Sequence, residues 1–419
     1  MQYDIAVVGG GTGGVPAAVE AARSGAKVLL VERYGFLGGM ATAGLVNPYM
    51  GYWAGGKPIV RGIFEETLAG LRNGGGLAEN GQTFDEEVLK VVLDRMVLEA
   101  GVATLFHAAF VSCECACGRI ESARFVSKEG CFDVTAEVFI DATGDADLAA
   151  AAGASVEIGR SEDGLCQPMT LSFRLAGIDL AALPSDFGKL RKILNDAYLA
   201  AKADGSIDNP REDILIFKTL REDVLHFNTT RVVGKSPVST AQLSEAEFEG
   251  RRQAFELLRL FKERVAGFED AYIQKSGVLI GVRESRRVMG EYVLQVEDIL
   301  SARKFDDAVA CSSYPVDIHN PAGTGTVIRR LPPGQWYEIP YRSIVPLGLD
   351  NLLMAARSIS ATHEAHSSLR VMPVVAAIGQ AAGAAAAMAA SERRAARDVD
   401  ADQLRNRLVA AGAFVGESR

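Results

Sequence analysis

Residues 5–14 read IAVVGGGTGG, a short apolar run that passes directly into a glycine-rich turn. An apolar run of this length predicts a strand that is buried on both faces. Val15 to Ser24 is predicted as a helix, which Gly25 ends, and Lys27 to Glu32 as a second buried strand with an acid at its end. The beginning of the chain therefore predicts a β-turn-α-β unit.

Three glycines of the turn, Gly9, Gly11 and Gly14, match the pattern G-x-G-x-x-G. In dinucleotide-binding units the first glycine makes the tight turn, the second lets a pyrophosphate approach the backbone, and the third lets the helix pack on the strand. The helix N-terminus supplies amide donors for the phosphates. Glu32, 18 residues after Gly14, is placed to accept hydrogen bonds from a ribose. The pattern favours a bound dinucleotide over a glycine turn that binds nothing.

Composition narrows the class of protein. The chain has 419 residues, enough for two or three domains at roughly 150 residues each. Its formal net charge of −9 disfavours a nucleic-acid binder that relies on counterion release. Six cysteines without a CxxC pair indicate neither a disulfide scaffold nor a zinc knuckle. The strand-like start leaves no room for a signal peptide, so we expect a cytoplasmic protein.

The rest of the chain predicts a domain that is interrupted by an insertion. Helices are expected over 60–71, 83–100 (opened by a capping box of Thr83 and Glu86), 186–204, 244–265, 371–390 and 402–411. Short strands with polar turns are expected over 102–134, and buried strands over 138–140 and 351–355. The uncharged segment 371–390 is mostly Ala and Gly, which predicts a buried helix and no membrane span.

We therefore predict an α/β fold. A discontinuous Rossmann-type domain is expected to comprise residues 1–155 and 331–419, the second part including the C-terminal helices. Residues 156–330 are more charged, with longer helices, and are expected to form an inserted α+β substrate or cap domain.

Several further motifs resemble those of FAD-dependent oxidoreductases. The resemblance rests on Glu32-Arg33 followed by LGGMAT at 37–42, on DATGD at 141–145, and on the tail from Asn351 to Ala384. It covers nearly the whole chain and is closest to flavoproteins distantly related to the fumarate reductase and succinate dehydrogenase flavoprotein subunits. The resemblance implies a bound FAD but does not indicate a substrate.

The resemblance also implies which residues bind the cofactor. Gly9, Gly11 and Gly14 would hold the pyrophosphate and Glu32 the adenosine ribose. Gly38, Gly39 and Thr42 would lie near the pyrophosphate and flavin, and Ala142, Thr143 and Gly144 would form a second turn on the dinucleotide side. The other predicted cofactor-binding positions are Arg33, Arg357 and Met372. Arg357 stands where the superfamily usually has an Asp, which leaves its role open; one interpretation is that it meets the pyrophosphate as a cation. The helix that begins near Met372 would point its N-terminus at the flavin ring, where its dipole stabilises negative charge.

Catalytic candidates come from three polar segments. His363, His366 and Arg370 immediately precede the 371–390 helix and would lie beside the flavin if the resemblance holds. His319 lies in a turn-rich region, and Arg283 lies in a run where alternation sets Arg283, Ser285 and Arg287 on one face. Each histidine is either a proton carrier or a structural residue, and the arginine run either binds an anion or forms internal ion pairs. His363 and His366 have no evident third ligand, so no metal is predicted.

These observations predict a soluble FAD-dependent oxidoreductase. Hydride would pass between a small polar organic substrate and flavin N5, with Arg283 or Arg370 holding a polar or anionic part of the substrate. A second nucleotide-binding motif is absent from the sequence, which favours an external electron acceptor or donor. Two alternatives stay open: a C=C reductase or desaturase of the fumarate reductase type, and a flavin-binding electron carrier without turnover. The sequence does not predict the oligomeric state.

Overall fold

The computed structural model describes residues 1–417. Its strands, in chain order, are β1 Gln2–Val8, β2 Val28–Val31, β3 Trp53–Ala54, β4 Lys57–Pro58, β5 Ala103–Leu105, β6 Ala109–Ala116, β7 Arg119–Ser127, β8 Gly130–Asp141, β9 Val156–Ile158, β10 Phe173–Ala176, β11 Ile216–Lys218, β12 Leu225–Phe227, β13 Tyr272–Ser276, β14 Arg286–Val288, β15 Ala308–Ser312, β16 Val316–His319, β17 Thr326–Arg329, β18 Tyr337–Pro340 and β19 Leu352–Met354.

The α-helices are α1 Gly14–Arg23, α2 Ile63–Asn73, α3 Glu86–Glu99, α4 Asp147–Ala151, α5 Phe187–Ala203, α6 Thr240–Arg264, α7 Val296–Leu300, α8 His363–Leu369, α9 Met372–Glu392 and α10 Ala401–Ala410. Short 3-10 turns occupy Gly39–Ala41, Leu180–Ala182, Tyr341–Ser343 and Ala396–Asp398. The predicted helices are therefore present, and their bounds shift by up to four residues.

A parallel sheet in the order β5-β2-β1-β8-β19 forms the centre of the larger core. Its strands are the apolar runs of the sequence, and every residue of β2 is buried. The long strand β8 takes part in two arrangements, because residues 135–141 pair in parallel with β1 whereas residues 130–134 pair antiparallel with β7. β7 pairs in turn with β6, so the predicted meander is continuous with the predicted Rossmann-type sheet.

A second, smaller core lies between Phe173 and Ala271. It is built on the antiparallel sheet β11-β12-β10-β13, against which α5 and α6 pack their buried faces. Buried side chains from Val288 to Val316 belong to the larger core, so the smaller core is shorter than the predicted insertion. The domain boundaries at 155 and 330 stay a prediction, and positions 418 and 419 of the last predicted segment lie outside the described residues.

Helix α9 crosses α1 with the two backbones in contact. A Cβ atom added at Gly379 would lie 2.0 Å from the carbonyl oxygen of Gly13, and one added at Gly383 would lie 2.2 Å from that of Ala17. By length and hydropathy α9 would pass as a membrane span, but 83% of its most apolar window is buried inside the protein. The Ala and Gly content of α9 is therefore explained by close packing on α1.

The N-cap of α3 differs from the predicted one. Asp85, and not Thr83, caps the helix, since its carboxylate accepts two backbone amides of the first turn at 2.8 and 3.1 Å. Glu86, the other half of the predicted capping box, is buried and pairs with Arg174 of β10 (3.0 Å) and Lys275 of β13 (2.9 Å). A carboxylate needed to neutralise two cations of the smaller core is not available for a cap.

Candidate functional site

A cavity of about 570 Å³ lies where the carboxyl ends of the parallel strands meet the smaller core. This is where ligands bind in open α/β sheets, and the volume is in the range of small-molecule sites. One part of its wall is glycine-rich and comes from the parallel sheet. The other part is arginine-rich and comes from the smaller core, the β16–β17 hairpin and the segment that follows α8.

The glycine-rich wall consists of backbone, and at Gly9 and Gly39 a side chain would collide with neighbouring main-chain atoms. Gly9 has a φ of +102°, and a Cβ atom there would lie 2.6 Å from the carbonyl oxygen of Ala142. A Cβ atom at Gly39 would lie 2.8 Å from the Cα atom of Gly11. Because Gly9, Gly11, Gly39 and Ala142 all line the cavity, a ligand meets main-chain atoms directly at this wall.

Two helices, α1 and α9, begin at the same cavity. The N-cap residues of α1 and α9, Gly13 and Val371, provide no side-chain hydrogen bond to the first turn. Both residues line the cavity together with Met372 at the start of α9. Free amide donors and the positive ends of two helix dipoles therefore favour negative charge here.

The carboxylate of Glu32 lies at the end of β2, in the cavity wall. Its Oε2 accepts the amide of Gly10 at 2.7 Å and its Oε1 accepts the amide of Tyr34 at 2.9 Å. Each oxygen keeps a second lone pair that can accept a ligand hydroxyl. The neighbouring Arg33 also lines the cavity and lies over the Tyr34 ring, 4.9 Å from its centroid.

A second turn, residues 142–144, follows β8 and is held by the buried Asp141. The Oδ1 atom of Asp141 accepts both the amide (3.0 Å) and the hydroxyl (2.8 Å) of Thr143. Burial raises the pKa of Asp141 to about 6. Gly144 has a φ of +85° and lies against Arg357, which pairs with Asp145. The Nε atom of Arg357 is buried and has no hydrogen-bond partner among the described residues.

Three of the predicted cofactor residues shape the glycine-rich wall without facing the cavity. Gly14 allows α1 to pack on the turn, since a Cβ atom there would lie 1.9 Å from the carbonyl oxygen of Gly9. Gly38 donates its amide to the glycine turn at 2.8 Å. Thr42 donates its hydroxyl to the carbonyl oxygen of Leu37 at 2.7 Å. These residues act through the backbone that they hold in place.

Arg283 and Arg370 both reach the arginine-rich wall, as predicted. Arg283 donates to the carbonyl oxygen of Pro168 (2.6 Å) and the hydroxyl of Thr170 (2.7 Å), which are uncharged partners. Burial, and then the positive charge of Arg370 and other arginines, lowers the pKa of Arg283. Arg370 lies 3.8 Å from Asp317, and its buried Nε atom has no partner within residues 1–417. The cations of this wall therefore keep hydrogen-bond donors that can bind an anion.

Asp317 is the carboxylate of the arginine-rich wall. Its Oδ2 accepts the hydroxyl of Tyr314 at 2.9 Å and lies 3.6 Å from Nε2 of His319. Burial alone would raise its pKa, but His319 and Arg370 outweigh burial and hold the pKa of Asp317 below its usual range. Asp317 is therefore ionised at neutral pH.

His319 lines the cavity as a hydrogen-bond donor. Arg231 donates to its Nδ1 at 2.9 Å, and because an arginine has no acceptor, Nδ1 carries no proton. The proton of the neutral ring is then on Nε2, which points to Asp317. Burial and the charge of Arg283 lower the pKa of His319 to about 3, against the opposing effect of Asp317. The predicted role of His319 as a proton carrier near neutral pH does not fit this environment.

His363 and His366 do not line the cavity, because α8 turns them towards the interior. His363 bonds through Nδ1 to the fully buried Glu284 at 2.8 Å, and Glu284 also pairs with Arg287. His366 is completely buried, and burial followed by the charge of Arg287 lowers its pKa. The alternation predicted for 283–287 is broken, since β14 begins only at Arg286. Within residues 1–417 no group of three metal-ligating side chains occurs.

Sequence reasoning did not select three residues of the site: Arg211, Tyr314 and Asp317. Arg211 is buried in an irregular segment of the smaller core, and its Nη1 atom has no partner among the described residues. No motif surrounds it in sequence. Asp317 and His319 lie two apart in β16 and so share a face, which strand alternation at 316–319 would have indicated.

Residues 4–408 match the family described as FAD dependent oxidoreductase. The chain belongs to this family. It is therefore an enzyme that uses FAD, and the alternative of an electron carrier without turnover is set aside. No curated protein sequence matches this oxidoreductase. The family description is broader than the fumarate reductase branch, so that narrower relationship stays a prediction.

Solved structures support the same fold. A geranylgeranyl bacteriochlorophyll reductase-like protein from Thermoplasma acidophilum is 14% identical with a TM-score of 0.51, over 99% of this chain and 84% of that chain. The flavin-dependent brominase Bmp2 is 12% identical with a TM-score of 0.51, over 97% of this chain and 83% of that chain. At these identities the likeness concerns the fold of the oxidoreductase and not its substrate.

The glycine-rich wall fits the FAD of this family. The Gly9, Gly11 and Gly39 backbone forms an open cradle, in which a Cβ atom at Gly9 or Gly39 would collide with neighbouring main-chain atoms. The two helix N-termini without side-chain caps favour the negative charge of a pyrophosphate. Glu32 offers acceptors for ribose hydroxyls, and Arg357 has an unused donor. These residues, with Thr143 and Met372, would hold FAD in the oxidoreductase.

Proposed function

We propose that this enzyme transfers hydride between a small organic anion and its flavin, and that an external electron acceptor or donor completes the cycle. One observation carries the proposal: Arg283 is half-buried in the cavity wall with uncharged partners, beside two arginines that each keep an unused donor, Arg211 and Arg370. An arginine fork binds carboxylates in a bidentate manner, and leaving a buried cation without an anion is costly.

Different residues of the arginine-rich wall bind the anion and orient it. Arg283 and Arg370 bind it, and Arg211 adds a third cation from the smaller core. Asp317 is ionised, accepts the Tyr314 hydroxyl at 2.9 Å and lies 3.6 Å from Nε2 of His319. The bound FAD supplies hydride acceptance and donation. Closure of the cavity by the smaller core excludes water from the polar end.

The experiment is an anaerobic screen of organic acids against the purified, FAD-loaded enzyme. Oxidised and reduced enzyme would each be mixed with acids and with the matching amides, and the visible flavin absorbance recorded. We expect at least one acid to change the flavin redox state while its amide does not. The Arg283→Gln variant is expected to lose most of this response at a fixed acid concentration.

A response to amides that equals the response to acids, with Arg283→Gln behaving as the wild type, would contradict the proposal. Lys218→Gln, an exposed cation of β11 outside the cavity, serves as the matched control and is expected to respond as the wild type does.

A further inference from the structure

We propose that the organic anion is amphipathic: a monocarboxylate whose apolar alkyl or aryl body lies against Ile328, Met50 and the apolar side chains of the smaller core. This inference rests on the proposed function, since it specifies the anion that the arginine-rich wall binds. It concerns the part of the cavity that continues from that wall towards solvent.

The β16–β17 hairpin presents polar and apolar residues side by side to the cavity. In its antiparallel register His319 is opposite Thr326 and Asp317 is opposite Ile328. Directly opposed residues lie on the same face of a sheet. All four line the cavity, and Ile328 is 52% exposed. An isoleucine is therefore held half in solvent immediately beside the carboxylate of the polar end.

Other apolar side chains surround the same space. Met50 lines the cavity and is 40% exposed. Leu215 and Phe217 line it from the smaller core, and Leu279 lines it from the segment that follows β13. None of these residues belongs to the parallel sheet, so they are not part of the glycine-rich wall. Exposed apolar side chains around a cavity mouth are the usual sign of a surface that a ligand covers.

The cations of the wall form one anion subsite and not two. Arg211, Arg283 and Arg370 line the same cavity, and Arg370 and His319 lie 3.8 and 3.6 Å from Asp317. Arg231 donates to His319 at 2.9 Å. The charges of Arg370, Arg211 and Arg231 also lower the pKa of Arg283, after its burial. Arg231 is already paired with Glu212 at 2.9 Å. At the mouth, Arg191 is paired with Asp213 at 3.3 Å. A second carboxylate at the far end of the ligand would meet the apolar side chains instead of a free cation.

The test is equilibrium binding to the FAD-loaded enzyme by isothermal titration calorimetry, which needs no turnover. The ligands are acetate, hexanoate, 3-phenylpropanoate, adipate and hexanamide. Each buried methylene is expected to lower Kd roughly fourfold. We therefore expect hexanoate and 3-phenylpropanoate to bind more than tenfold tighter than acetate, and adipate and hexanamide to bind more weakly than hexanoate.

Two variants locate the apolar contact. Ile328→Ser is expected to weaken hexanoate binding at least fivefold while leaving acetate binding unchanged. Val327→Ser is the matched control, because Val327 is its neighbour on β17, is 57% exposed and does not line the cavity. It is expected to leave both ligands unchanged.

The outcomes separate this inference from the proposed function. Adipate binding tighter than hexanoate, or an equal effect of Ile328→Ser and Val327→Ser on hexanoate, would overturn the amphipathic anion and leave the organic anion in place. Hexanamide binding as tightly as hexanoate, or no binding of any acid, would overturn both.

Discussion

Three buried histidines, His226, His319 and His366, have pKa values below the usual range. His226 is the easiest of the three to test by mutation, because it lies outside the cavity, on β12 between β11 and β10. Burial, followed by the charge of Arg174, lowers its pKa to about 3. Between pH 6.5 and 3 the unfolded chain binds a proton at this position and the folded chain does not. Stability is therefore lost as the pH falls, by up to about 1.4 kcal/mol per pH unit.

Replacing His226 with Leu removes this source of acid sensitivity. We expect the loss in free energy of unfolding between pH 7 and pH 5 to be smaller in His226→Leu than in the wild type by about 2 kcal/mol. The measurement is urea unfolding at several pH values. Asp141, whose raised pKa stabilises the fold as the pH falls, acts equally in both proteins. Parallel pH curves for the two proteins would show that His226 is not the cause.

At the scale of single residues, the sequence predicted which residue types belong to the site better than it predicted where their side chains point. Arg283, Arg370 and His319 reach the cavity as expected, while His363 and His366 do not. A helix of seven residues places its side chains on all sides, and the sequence cannot show which side of α8 faces the ligand. Nor can it show that His319 accepts a hydrogen bond from an arginine 88 residues away, which sets its tautomer.

The contact between α1 and α9 leaves no space for a side-chain atom at Gly379. A methyl group at Gly379 would lie 2.0 Å from the carbonyl oxygen of Gly13, a backbone atom that cannot turn away. We expect Gly379→Ala to lower the free energy of unfolding by about 1–3 kcal/mol, because the helices must separate. FAD is also expected to bind more weakly, since both helices begin at the cavity.

Thermal or urea unfolding, with and without FAD, measures this effect. Gly323→Ala is the control, as a Cβ atom there meets nothing within 4 Å, and it is expected to change stability by less than about 0.5 kcal/mol. Equal stability of the two variants would mean that α9 can shift without cost. Composition predicted α9 as a buried helix with a proline near its start, but only the packed structure identifies α1 as its partner.

For the whole molecule, Glu86 is a buried polar link between the two cores. It is 2% exposed on α3 of the larger core and pairs with Arg174 and Lys275 of the smaller one. Glu86→Gln would leave Arg174, whose side chain is only 11% exposed, without its counter-ion. We expect a loss of about 2–4 kcal/mol in the free energy of unfolding. FAD affinity is also expected to fall, because the cavity lies between the cores.

The neighbouring Glu87→Gln provides a matched control. Glu87 also pairs with Lys275, but its side chain is 58% exposed, so the expected loss is below about 1 kcal/mol. FAD affinity would be followed by flavin fluorescence. A Glu87→Gln effect as large as that of Glu86→Gln would mean that burial of the ion pair is unimportant. The sequence assigned Glu86 to a local cap because capping boxes are read within four residues, whereas its partners are about 90 and 190 residues away.

The contact of α9 with α1 also bears on the time at which the cofactor can be acquired. The glycine turn and β8 are complete once residue 141 has been synthesised, yet α9 begins at Met372. At translation rates of 5–20 residues per second, roughly 10–50 s separate these two points. During that interval the α1 surface that α9 covers stays open on the nascent chain. We therefore expect stable FAD binding only after α9 has been synthesised, close to the end of translation of the described residues.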